Sequence, residues 1–163
     1  MASCGASGRV LVLALGNELL ADDAVALLAA RELAGAVGEG VEVREAAQHG
    51  MALLEELCGF RAAVILDALC TGVAPPGTVH RFALEDLAPA LAPSPHWAGL
   101  PEVAAYARAA QLPFPEEVVI LAVEAVDLAT VGGAPTPAVR AAIPALVQAT
   151  LAELSRLTPR RAP

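Results

Sequence analysis

Short runs of β-favouring apolar residues alternate along this chain with longer stretches whose apolar positions recur every three or four residues, and that alternation predicts an α/β fold. The runs cover residues 9–15, 41–45, 62–68, 78–82 and 117–123; helical patterns cover 22–36, 51–58, 97–110 and 137–157. The first, third and fifth runs are almost wholly apolar rather than alternating, as expected of strands covered on both faces. They therefore predict a three-layer α/β/α sandwich around a twisted, mostly parallel five-stranded sheet, its crossovers right-handed. Residues 78–82 follow a Pro75-Pro76-Gly77 turn and are expected as the one antiparallel strand. A single domain spans 9–157. The small polar residues 1–8 and the basic, proline-rich tail 158–163 are expected to fray, and 88–95 reads as a loop rather than a linker.

Composition narrows the class. Of 163 residues, 56% are hydrophobic and 17% charged, enough apolar material for a core and too much for disorder. Mean hydropathy is +0.60, yet no run approaches the roughly eighteen uninterrupted apolar residues of a membrane-spanning helix. The early apolar run has only Arg9 ahead of it and no small-residue cleavage pattern after it, so no secretory signal is read and the cytoplasm is expected. A net charge of −8 opposes extended contact with nucleic acid or an anionic membrane. Cys4, Cys58 and Cys70 lack CxxC spacing, which predicts reduced thiols rather than a disulfide framework or a thiolate zinc site.

In open α/β sheets the functional crevice lies beyond the carboxyl ends of the strands. Two polar segments fall there: Gly16-Asn17-Glu18-Leu19-Leu20-Ala21-Asp22-Asp23 after the first strand, and Asp67 after Val64-Ile65-Leu66. With one glycine, the first is no dinucleotide fingerprint, and without Gly-Lys-Ser/Thr it is no phosphate loop. Asp22 and Asp23 can cap and complement a helix, or one can cap while the other faces the crevice. A carboxylate ending an apolar strand, as Asp67 does, needs a hydrogen bond, a counter-charge or a metal. Among the histidines, His80 reads as a solvent-facing strand residue, and His49, at the entry to the second helix, as either near the crevice or polar loop. His96, in Ser94-Pro95-His96-Trp97, is expected in a first helical turn capped by Ser94, where the dipole would keep its ring neutral. Converging, Asp23, Asp67 and His96 would make an open O/O/N site for zinc, nickel or manganese. There is no GxSxG, and Cys70 reads as a buried structural thiol. Trp97 fits either a pocket shield or the core.

The segment Leu13 to Asp23 resembles the GN-x-L-x-x-D-D/E signature of the [NiFe]-hydrogenase maturation endopeptidases. Gly50-Met51-Ala52-Leu53-Leu54 is similar to that family's second-helix start, Ile65-Leu66-Asp67-Ala68 to its strand-end aspartate, Ser94-Pro95-His96 to its S-x-H segment, and Gly133-Ala134-Pro135-Thr136-Pro137 to the stretch before its last helix. The likeness covers about residues 9–157. Two features depart from it: Ala24 stands where many members continue with glycine, and Glu45-Ala46-Ala47-Gln48-His49 lacks their Gly-Thr. The resemblance implies an endopeptidase that trims the C-terminal extension of a hydrogenase large-subunit precursor, and a monomer is expected. Asp23, Asp67 and His96 would bind the nickel carried by that precursor, for which zinc or another divalent ion can substitute. Asp22 and Glu18 would be supporting residues. Two other readings use the same residues: a hydrolase of a small substrate with permanently bound zinc, and a non-catalytic nickel-binding assembly factor.

Overall fold

The computed structural model describes residues 7–87 and 94–158. Five strands, β1 (Ser7–Leu15), β2 (Val41–Ala46), β3 (Phe60–Leu69), β4 (Val79–Ala83) and β5 (Glu117–Glu124), form one sheet in the order β2-β1-β3-β5-β4. All neighbours are parallel except β4, which pairs antiparallel with β5. The helices are α1 (Val25–Leu33), α2 (Leu53–Leu57), α3 (Leu100–Ala109), α4 (Pro137–Ala141) and α5 (Ile143–Leu157).

The register explains why the central strands read as unbroken apolar runs. Leu13, Ile65, Ile120 and Phe82 lie in one row across the sheet and Val12, Val64, Val119 and Ala83 in the next. Successive rows point to opposite faces. One face packs on α1 and α5 through Val25, Leu33, Leu146 and Leu154; the other packs on α2 and α3 through Leu53, Leu57 and Leu100, and on Trp97 in the turn before α3. Each strand therefore supplies two cores, and each fully buried Leu, Val or Ile contributes roughly 1.5–3 kcal/mol of burial.

Several boundaries differ from expectation for local reasons. The first helix begins as a 3-10 turn, Asp22–Ala24, and its α-helical part ends at Leu33. The stretch expected as one helix over 137–157 is two, divided at Ala142, because Pro144 has no N–H to offer the carbonyl of Arg140. The third helix starts at Leu100 after Gly99, whose φ of 83° is the left-handed conformation that glycine adopts without strain. Ser7 and Gly8, expected in a frayed end, belong to β1. Residues 1–6 and 159–163 and most of the 88–95 loop lie outside the described residues.

Candidate metal centre

The site is built at the carboxyl ends of β1 and β3. After Leu15 the chain turns sharply through Gly16, where an added β-carbon would meet the carbonyl oxygen of Asp23 at 2.2 Å. Only glycine permits that approach, and it brings the Asn17 N–H within 2.8 Å of the Asp23 carboxylate. Asp67 lies within β3, fully buried. Its carboxylate accepts bonds from the Ala68 N–H at 2.8 Å and the Ser94 hydroxyl at 2.7 Å, and His96 Nδ1 stands 3.1 and 3.3 Å from its two oxygens.

Ligand atoms of Asp23, Asp67 and His96 all lie within 4.8 Å of one another, the one such group among the described residues. Burial, first, raises the Asp23 carboxyl above its usual value and the nearby charge of Asp67 adds to this, against the opposing pull of His96 and the Asn17 N–H. The hydrogen bond to Asp67 raises His96, outweighing burial. The neighbouring carboxylates thus favour positive charge at His96, a demand that a metal cation can also meet.

This corrects the expectation for His96. The residue is not in a first α-helical turn but in a separate 3-10 turn, Pro95–Trp97. Asp67, not a helix dipole, governs its ring, and drives it toward the charged form. Ser94 combines two roles: its oxygen receives the His96 N–H at 3.3 Å while its hydroxyl donates to Asp67. Trp97 is core, edge-on to Phe82.

Asp22 does not cap. Its buried carboxylate accepts bonds from the N–H groups of Val126, Asp127 and Thr136 and the hydroxyl of Thr136, tying down the segment between β5 and α4. Burial pushes this carboxyl up, but the four donors together hold it below its ordinary value. Glu18 is exposed and paired with Arg31, and His49 is exposed outside the cluster. Cys70, expected buried, is an exposed free thiol, and Cys58 is half-buried.

Sequence reasoning overlooked Glu124. This residue, 1% exposed, accepts bonds from the N–H groups of Thr71 and Gly72 and from the Thr71 hydroxyl, all at 2.8–3.0 Å. His80 Nε2, expected to face solvent, lies 3.0 Å from the same carboxylate. The signal was there to be read: Glu124 is a carboxylate closing the apolar run of β5, and the expectation that Asp67 ends its own strand is corrected, since β3 runs on to Leu69.

Comparisons with known proteins agree with one another. A family model described as HycI, hydrogenase maturation protease, matches residues 27–153. The hydrogenase maturating endopeptidase HybD from Escherichia coli is 30% identical, over 91% of this chain and 93% of its own, with a TM-score of 0.78. An Escherichia coli endopeptidase solved in solution is 29% identical over 91% of this chain and 93% of its own, with a TM-score of 0.77. The [NiFe] hydrogenase maturation protease HybD from Thermococcus kodakarensis is 28% identical over 89% and 98%, with a TM-score of 0.72. A search of curated proteins finds no match.

Proposed function

Because this chain belongs to the hydrogenase maturation protease family and is an endopeptidase, we propose that it removes the C-terminal extension of a [NiFe]-hydrogenase large-subunit precursor after recognising the precursor's bound nickel. The observation that carries this reading is the convergence of Asp23, Asp67 and His96 at the strand ends. Two anionic oxygens and an imidazole nitrogen suit a borderline divalent cation. Three protein ligands leave coordination positions for groups that the precursor supplies. Nickel is here part of the substrate, and zinc or another divalent ion of similar preference can stand in for it.

Selection follows from binding. A precursor without nickel offers the two carboxylates and the imidazole no cation to hold, so it docks weakly and its scissile bond is not held across the crevice. We assign the same three residues to the hydrolytic step, since they are the cluster beside which that bond would lie. No helix among the described residues is long and apolar enough to cross a membrane. The protease acts where precursors are assembled, in the cytoplasm, as a monomer.

The test is a processing assay with purified precursor, loaded with nickel or stripped of it. Cleavage of the loaded form alone is expected; equal cleavage of both overturns nickel recognition, and cleavage of neither overturns the assignment. Metal analysis of the isolated protease separates the two other readings. Stoichiometric, tightly held zinc would favour a small-substrate hydrolase, and precursor bound at unchanged length would favour an assembly factor.

A further inference from the structure

Seven large hydrophobic side chains are exposed among the described residues, and five of them sit at one end of the molecule. Leu19 follows β1, Met51 follows β2, Val73 follows β3, and Val126 and Val131 follow β5. Each is more than half exposed; Val73 reaches 88% and Val131 74%. All five therefore lie on connections leaving the carboxyl edge of the sheet, where Asp23, Asp67 and His96 converge. Scattered exposed hydrophobics need no explanation, but a set confined to the edge that carries the chemistry does.

The backbone beneath these residues is held firmly. Asp22 pins 126, 127 and 136 by main-chain bonds, and the Leu19 carbonyl receives the Gly132 N–H at 2.8 Å beside a bridge between Leu20 and Val131. Glu124 pins 71 and 72, and the Thr71 hydroxyl in turn accepts the Val73 N–H. Two buried carboxylates that belong to no ligand set thus fix the connections from which Val73, Val126 and Val131 emerge. A buried carboxylate is costly unless fully bonded. Here both are bonded to loop backbone and leave apolar side chains standing in water.

We infer that Leu19, Met51, Val73, Val126 and Val131 form a preorganised apolar rim that seats the precursor polypeptide around the ligand cluster, with Asp22 and Glu124 as the positioning residues that hold it in shape. The inference rests on the proposed function. An endopeptidase's protein substrate must lie across the site, so the edge that surrounds the site is necessarily within its footprint. The rim fixes the chemistry of what it meets: an apolar surface on the precursor flanking its metal-bearing segment. Because the loops are already ordered, docking loses little conformational freedom and the buried apolar area goes into affinity.

The experiment measures KM and kcat for nickel-loaded precursor with wild-type protein, a rim triple variant (Val73→Ser, Val126→Ser, Val131→Ser) and the control Tyr106→Ser on α3. The rim variant should raise KM about tenfold or more with kcat at saturation and nickel affinity near wild type. Tyr106→Ser should change neither constant. As a positioning test, Glu124→Gln should raise KM with nickel affinity unaltered. An unchanged KM in the rim variant, while wild type cleaves normally, overturns the rim and leaves the proposed function standing; failure of wild type to cleave overturns that function and the rim with it. Rim-dependent self-association in sedimentation with KM unchanged would instead assign the surface to a second copy of this chain.

Discussion

At Gly16 a β-carbon would lie within 2.2 Å of the Asp23 carbonyl oxygen, so Gly16→Ala must move either the loop or the aspartate. A destabilisation of about 1–3 kcal/mol is expected in denaturant unfolding, with nickel affinity reduced at least about tenfold in calorimetric titration; native affinity would show that the close approach is dispensable. His96→Ala has a clearer chemistry. In the structure the His96 side chain is 14% exposed and bonded to a buried carboxylate. The alanine variant should therefore lose nickel binding and also about 1–3 kcal/mol of stability. Equal stability of the two proteins would show that Ser94 and the Ala68 N–H suffice for Asp67. The raised His96 value also gives a sign: the ion pair's stabilisation is complete below the ordinary histidine value of 6.5 and fades as pH rises through the higher folded value.

The strands were legible element by element because the sheet is covered on both faces, which leaves apolar runs that end abruptly at Gly16 and just past Asp67. Asp67 was legible for the same reason: a polar group near the end of such a run stands out. Helix ends were less so. Pro144 divides the last helix by removing one backbone donor, yet 143–157 keeps a helical apolar pattern that hides the break. Asp22 and Glu124 show a deeper limit. Their partners lie 104–114 and 44–53 positions away, and no local pattern announces a bond to the main chain of a distant loop. For Glu124 the consequence can be measured. Burial pushes its carboxyl up, but the donors from Thr71, Gly72 and His80 hold it below the ordinary 4.5. Its stabilisation is therefore full above that value and lost as pH falls through the lower folded value. Glu124→Gln should be less stable by about 1–3 kcal/mol at neutral pH, with the gap closing in acid; a gap that stays constant down to acid unfolding would mean the carboxylate charge contributes nothing.

The molecule as a whole is two cores on one sheet, and the ligand cluster belongs to the carboxyl edge rather than to either core. Leu146→Ala, fully buried on the α5 side, should cost about 2–5 kcal/mol in unfolding experiments. The folded fraction should bind nickel as wild type does, and a parallel loss of affinity would show that the far core shapes the site. Asp67 stands in β3, paired on one side with β1 and on the other with β5, so it is anchored in the least deformable part of the protein. The rim residues, by contrast, emerge from connections fastened through their main chain, which leaves their side chains free to differ. On the proposed reading, a duplicated copy can drift toward a new hydrogenase client by exchanging a handful of these outward-facing groups while Asp23, Asp67 and His96 stay as they are.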